Sequence, residues 1–134
     1  MNAGQICLAP DYMMVPEEKL VEVISEIKLA VASMYPTMLK NPEYTSVIND
    51  RHFQRLQENL VDAAEKGGEV ISLAPAGEDF SKQDETRKIA PTVVKNATDD
   101  MRILQEEIFG PVLVIIPFET EEEAIAIAND TPYG

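Results

Sequence analysis

The amino-acid sequence predicts an α/β fold built around a parallel sheet. Segments patterned like strands alternate with segments in which apolar residues recur every three or four positions, as they do along helices. The segment 112–118 is a nearly continuous apolar run, which is typical of a strand buried on both faces of a parallel sheet. With 134 residues, 45% of them hydrophobic, the chain has enough apolar material for one modest core.

The first predicted elements are a strand and a long helix. A short apolar stretch, 9–15, is followed by Pro16 and two glutamates, a composition that favours the first turn of a helix. Pro36 ends that helix because proline cannot continue its backbone hydrogen bonding. The predicted apolar stripe of this helix consists of Leu20, Val23, Ile24, Ile27, Val31 and Met34.

A second helix follows a polar connection. Asn49 or Asp50 can cap its first turn, and the pair Gly67 and Gly68 supplies its end. Its predicted apolar stripe consists of Phe53, Leu56, Leu60, Val61 and Ala64. Each of the first two helices thus has one apolar face with which to cover the sheet.

Three further strands are predicted in the second half of the chain. They span 69–73, 89–94 and 112–118, and the segment 74–86 is rich in Pro, Gly, Asp and Glu, as exposed loops are. Pro91 lies inside the second of these strands, and proline cannot donate a ladder hydrogen bond. We therefore expect an edge strand or an irregular strand end at that position.

The last predicted helix starts at a capping box. The hydroxyl of Thr120 can accept a backbone N–H at the first turn, and Glu123, three positions on, can return the bond. The apolar residues of this helix are Ala124, Ile125, Ile127 and Ala128.

Composition and charge argue against several classes of protein. The 24 acidic and 11 basic residues give a formal charge of −13, which repels nucleic acid. The longest apolar run, 112–116, is far too short for a membrane span. A single cysteine cannot form an internal disulfide and no signal segment is evident, so we expect a cytoplasmic protein. The only histidine, His52, has no suitably spaced partners, and no metal site is predicted.

Two short runs carry the chemical information. The run 2–7 reads N-A-G-Q-I-C and contains the single cysteine, and the run 106–111 reads E-E-I-F-G-P. Taken alone, a lone cysteine is most simply a packed thiol, and two glutamates in so acidic a chain are most simply a solvated turn. The two complete runs together, in this order, favour a functional interpretation.

Both runs resemble motifs of the NAD(P)-dependent aldehyde dehydrogenases. The first resembles the nucleophile motif of that family, and the second resembles its cofactor-ribose motif. The runs 7–12, 51–55 and 89–92 also resemble the branch that handles fatty and aromatic aldehydes, which includes the coniferyl aldehyde dehydrogenases. The resemblance covers nearly the whole chain and implies a Rossmann-like catalytic domain with a parallel sheet.

The resemblance also implies roles for individual residues. Cys7 would attack the aldehyde carbonyl, form a thiohemiacetal and then a thioester, and release a carboxylic acid. The residues implied to position the substrate and its oxyanion are Asn2, Gly4 and Gln5. For the cofactor, NAD or NADP, Glu107 would accept hydrogen bonds from the nicotinamide ribose and Phe109 would pack against the nicotinamide ring.

Some expected machinery of that family has no counterpart in the sequence. The Glu-Leu-Gly-Gly run that carries the water-activating glutamate does not occur, and the asparagine that completes the oxyanion site lies upstream in the family. We therefore expect 1–134 to be a single partial catalytic domain, truncated at both ends, without the cofactor-binding domain. Such a piece would be inactive alone, and its parent would be a homodimer or homotetramer.

Two alternatives remain open at the level of sequence. Relatives with the same fold make acyl-CoA or reduce acyl phosphates through the same kind of thioester. A protein of another class, an acidic α/β assembly module with a buried and unreactive cysteine, would also fit the composition. Reactivity of the Cys7 thiol distinguishes the catalytic hypotheses from the assembly module, because a nucleophile is alkylated quickly and a packed thiol slowly.

Overall fold

The computed structural model describes residues 2–82 and 86–130, with a four-stranded sheet at its centre. The order across the sheet is β1-β4-β3-β2. β4 runs parallel to both β1 and β3, whereas β2 pairs antiparallel with β3. The predicted parallel sheet is thus confirmed for three strands, and the fourth is an antiparallel edge. The strands are β1 Tyr12–Pro16, β2 Glu69–Ser72, β3 Thr92–Lys95 and β4 Val112–Phe118.

Four α-helices accompany the strands in the described part of the chain. They are α1 Leu20–Met34, α2 Asp50–Glu65, α3 Arg102–Gln105 and α4 Glu121–Asn129. Short 3-10 turns occupy Glu17–Lys19 and Phe80–Lys82. The four-residue helix α3 was not predicted, because one turn is too short to show an apolar period. None of the helices in the described ranges is long and apolar enough to cross a membrane.

The predicted helix caps are confirmed. The side chain of Asn49 accepts the backbone N–H of His52 at 2.9 Å and so caps α2. The hydroxyl of Thr120 accepts the N–H of Glu123 at 3.2 Å and caps α4. The Glu123 carboxylate returns its bond to the N–H of Glu119, at 2.8 Å, one residue before the cap.

The core lies on both faces of the sheet. Val94 and Val114 belong to one cluster with Leu56 of α2, and their neighbours along the strands, Val93 and Ile115, belong to a second cluster with α1. Successive strand residues point to opposite faces, so α1 and α2 cover opposite sides. The nearly continuous apolar sequence of β4 follows from this double burial.

Parts of the predicted helix stripes are wrong. Met34 and Val61 are 70% and 54% exposed, and Ala64 is exposed too. In α2 the buried face continues instead through Asn59 and Ala63. Each residue advances a helix by about 100°, so Val61 points away from the face that Leu56 and Ala63 share.

The interpretation of Pro91 is corrected in one respect. β3 lies between β4 and β2, so it is not an edge strand. The strand begins one residue after Pro91, whose carbonyl accepts the N–H of Leu73 at 2.8 Å. The irregular strand end is therefore confirmed.

The predicted loop 74–86 contains the turn Phe80–Lys82, and its residues 83–85 lie outside the described residues.

Candidate active site

The cysteine lies in a tight loop before β1. Ala3 and Gly4 both have left-handed backbone angles, with φ of 54° and 71°, and the N–H of Gln5 donates to the Asn2 carbonyl at 3.1 Å. The loop turns back on itself there and leaves Cys7 exposed as a free thiol. An exposed thiol argues against the alternative in which this cysteine is buried in packing.

Gln5 anchors the loop to the segment that leads into α2. Its Nε2 donates to the carbonyls of Asn2 and Ser46, both at 3.0 Å, and its Oε1 accepts the N–H of Ile48 at 2.8 Å. A carboxamide is suited to this place because it both donates and accepts. In return, Nδ2 of Asn2 donates to the Gln5 carbonyl at 3.2 Å. Both amide side chains therefore shape the loop in this structure.

The E-E-I-F-G-P run forms the turn between α3 and β4. Glu107 is exposed, Ile108 is only 1% exposed, and Phe109 is half-buried with a left-handed φ of 49°. The guanidinium of Arg55, on α2, donates to the carbonyls of Glu107 at 3.3 Å and Ile108 at 2.5 Å. Oδ1 of Asp11 accepts the N–H of Ile108 at 3.3 Å.

The two motifs meet at a pair of glycines. A Cβ added to Gly4 would lie 2.1 Å from the carbonyl oxygen of Gly110, which is too close for two atoms that are not bonded to each other. A Cβ added to Gly110 would lie 2.5 Å from Cδ2 of Leu56. Glycine at position 4 is therefore required for the close approach of the two runs, and glycine at position 110 leaves room for the Leu56 side chain. The contact brings the loop of Cys7 against the turn of Glu107 and Phe109, although these residues are far apart in sequence.

A cavity of about 260 Å³ lies beside the cysteine loop. Asn2, Ala3 and Gly4 line it, together with Pro111 and Tyr44. The Tyr44 hydroxyl donates to the Ile89 carbonyl at 2.5 Å, and burial, with a smaller contribution from Tyr35, raises the pKa of Tyr44. The buried Tyr44 ring supports one wall of the cavity.

A larger open groove, of about 550 Å³, lies between the end of α1 and the segment 72–76. None of its lining residues belongs to either motif. The candidate site is therefore identified by the contact between Gly4 and Gly110 and not by the volume of the cavity. Within the described residues, no group of three or more His, Cys, Asp or Glu side chains could hold a metal ion.

Sequence reasoning assigned no role to Asp11 or Arg55. Both fall in runs that carry the family resemblance, 7–12 and 51–55. That location was the only signal available, because their bonds reach backbone atoms 97 and 53 positions away.

Comparison with known proteins identifies the family. The model of the aldehyde dehydrogenase family matches residues 1–134. The chain belongs to this family. The resemblance inferred from the two motifs is thereby confirmed.

Curated aldehyde dehydrogenases share much of this sequence over a limited part of their own. The coniferyl aldehyde dehydrogenase of Pseudomonas sp. (strain HR199) is 51% identical over 128 residues, which are 96% of this chain and 26% of that protein. Aldehyde dehydrogenase family 3 member A2 of Rattus norvegicus is 37% identical over 131 residues, 97% of this chain and 25% of that protein. The chain spans about a quarter of the length of the curated relatives that it matches.

Solved aldehyde dehydrogenase structures share the fold. Aldehyde dehydrogenase C from Pseudomonas syringae, a mutant in complex with NAD⁺ and octanal, superposes with a TM-score of 0.79 at 33% identity, covering 98% of this chain and 27% of that one. Betaine aldehyde dehydrogenase from Staphylococcus aureus, in complex with NAD⁺ and with a BME-modified cysteine, gives 0.79 at 30% identity, covering 99% and 27%. The predicted fold class, an aldehyde dehydrogenase α/β domain, is confirmed.

Proposed function

We propose that this chain forms part of the catalytic domain of an enzyme that oxidises an aldehyde to a carboxylic acid with NAD or NADP. The observation that carries the proposal is the backbone contact of Gly4 with Gly110, which places the exposed Cys7 loop against the turn of Glu107 and Phe109. The 51% identity to a coniferyl aldehyde dehydrogenase favours an aromatic or fatty aldehyde, such as coniferyl aldehyde, as the substrate.

Cys7 is the proposed nucleophile. Its thiolate adds to the carbonyl carbon to give a thiohemiacetal, and loss of hydride from that carbon gives a thioester on Sγ. Water then attacks the thioester, which releases the carboxylic acid and restores the thiol. The backbone N–H of Cys7 is one proposed donor to the oxyanion. When bound, NAD⁺ or NADP⁺ supplies the acceptor for the hydride.

The residues on the turn fit a dinucleotide. The Glu107 carboxylate is exposed and can therefore accept hydrogen bonds from ribose hydroxyls. Arg55 holds the backbone of the same residue through the Glu107 carbonyl. Phe109 offers a half-buried ring one residue before the glycine contact. We infer that Glu107 and Phe109 orient the cofactor and that Asn2, Gly4 and Gln5 hold the cysteine loop.

We expect the 134-residue chain alone to be inactive towards aldehydes. The sequence contains no Glu-Leu-Gly-Gly run to supply a general base, and general acid–base assistance contributes on the order of 100-fold or more to rate. Clear steady-state NADH formation by the purified chain would contradict this expectation.

The test of the proposal uses a chimera. In it, this chain replaces the segment that it matches in the Pseudomonas sp. coniferyl aldehyde dehydrogenase. We expect NADH formation with coniferyl aldehyde, loss of that activity in the Cys7→Ala variant, and unchanged activity in a control, Ser25→Ala, on the exposed face of α1.

Labelling of the thiol gives a second readout. Iodoacetamide followed by mass spectrometry should modify Cys7 rapidly and in an NAD⁺-sensitive way in the chimera, and slowly in the chain alone. Equal, slow labelling in both, with activity that survives Cys7→Ala, would refute the proposal. Acyl-CoA formation on addition of coenzyme A would point instead to the CoA-acylating alternative.

A further inference from the structure

Asp11 connects the segment that follows Cys7 to the turn 106–111, which carries the proposed cofactor residues Glu107 and Phe109. It lies four positions after Cys7 and immediately before β1. Its Oδ1 accepts the N–H of Ile108 at 3.3 Å, and its own carbonyl accepts the N–H of Val114 at 3.1 Å. The main chain and the side chain of one residue are therefore both bonded to the segment that contains the turn and β4.

The bond from Asp11 reaches a peptide group that is held from both sides. The peptide between Glu107 and Ile108 donates its N–H to Asp11 and offers its carbonyl to Arg55 at 3.3 Å. The next carbonyl, that of Ile108, also accepts from Arg55. Ile108 is 1% exposed, so water cannot readily replace a lost partner, and buried peptide groups need partners.

The held peptide fixes the directions of the two proposed cofactor residues. Its orientation sets the backbone angle of Glu107 on one side and of Ile108 on the other. Phe109, the following residue, has a left-handed φ of 49°, which a non-glycine residue keeps only where its surroundings determine it. Rotation of this peptide would therefore redirect both Glu107 and Phe109.

We infer that Asp11 is a positioning residue for the cofactor site, acting through the Ile108 N–H on Glu107 and Phe109. The inference rests on the proposed function. A carboxylate holds a backbone N–H more strongly than a neutral acceptor does, which accounts for an acidic side chain at this place. The same residue ties the strand that follows Cys7 to β4, so it couples the position of the nucleophile to that of the cofactor.

Steady-state kinetics of the chimera test the inference. We expect Asp11→Ala to raise the KM for NAD⁺ about tenfold, the size expected for loss of a hydrogen bond to a charged group, with a smaller change in the KM for aldehyde. Asp11→Asn keeps an acceptor oxygen without the charge, so its KM for NAD⁺ should lie between those of the parent chimera and Asp11→Ala. Asp62→Ala is the matched control, because Oδ2 of Asp62 accepts the N–H of Arg102 at 2.9 Å outside both motifs.

A purely structural role predicts a different result. Asp11→Ala and Asp62→Ala would then both lower thermal stability, and the KM for NAD⁺ would stay at the parent value in each. That outcome would overturn the inference. It would leave the proposed function intact, provided that Cys7→Ala still abolishes activity.

Hydrogen exchange covers the case in which Asp11→Ala does not fold. In the chimera with the nearly isosteric Asp11→Asn, the amide of Ile108 should exchange faster while the β4 amides stay protected. Unchanged exchange at Ile108 would overturn the inference without reference to catalysis. If activity instead survives Cys7→Ala, the proposed function fails and the exchange result still reports on Asp11.

Discussion

The two faces of the sheet differ in what their helices support. On one face, Leu56 of α2 packs against Gly110, and Arg55 donates to two carbonyls of the turn 106–111. On the other face, α1 packs Ile24 against Val93 and Ile115, and its outer surface leaves Leu29 and Met34 exposed. Both helices stabilise the sheet, and α2 in addition contacts the turn 106–111 through Arg55 and Leu56. Substitutions of Arg55 or Leu56 should therefore change catalysis as well as stability.

The largest expected effect is at the contact between the motifs. Gly4→Ala places a methyl group 2.1 Å from the Gly110 oxygen at a φ of 71°, so the cysteine loop must move. Displacement of a catalytic group by about 1 Å can cost on the order of 100-fold, and we expect at least about that loss of kcat/KM in the chimera.

Gly77→Ala is the control for backbone strain at that position. Gly77 also has a left-handed φ, 86°, but in the described part of the chain an added Cβ there meets no atom within 4 Å. This substitution should cost about 1 kcal/mol of stability and leave kcat/KM unchanged. Equal losses of activity in the two variants would show that strain, and not the contact between motifs, is what matters.

A second, smaller effect separates the two faces directly. Leu56→Ala and Ile24→Ala each remove a buried side chain, 0% and 8% exposed, and each should destabilise the sheet by about 3 kcal/mol. Hydrogen exchange of the β4 amides measures both losses of stability, because β4 contributes side chains to both core clusters. Only Leu56→Ala should also raise the KM for NAD⁺, since it removes the support of Gly110. A similar rise in the KM for NAD⁺ in Ile24→Ala would contradict the expected difference between the two faces of the sheet.

Much of the fold was predictable because it follows from local patterns. The bounds of β4 and the caps at Asn49 and Thr120 matched, since apolar runs and capping side chains act within a few residues. The direction of β2 did not follow, because strand direction depends on how a long connection returns to the sheet. The two motifs were recognised one by one, whereas the bond from Asp11 joins atoms 97 positions apart and has no local signature.

The smallest expected effect lies at the far end of α2, where the helix meets α3. Asp62 accepts from Lys66 Nζ at 2.9 Å and from the N–H of Arg102, and these bonds lower the pKa of its carboxyl from the usual 3.8. A lowered pKa in the fold means that the stabilisation is fully present above about pH 4, the range in which the unfolded chain is also ionised, and is lost as the pH falls through the folded value. Thermal unfolding of the chimera should show a deficit for Asp62→Asn at pH 7 that shrinks towards pH 3. The KM for NAD⁺ should not change at pH 7, because these bonds do not reach the turn 106–111. A deficit that is constant with pH would mean that the shape of the side chain, and not its charge, holds α3 to α2.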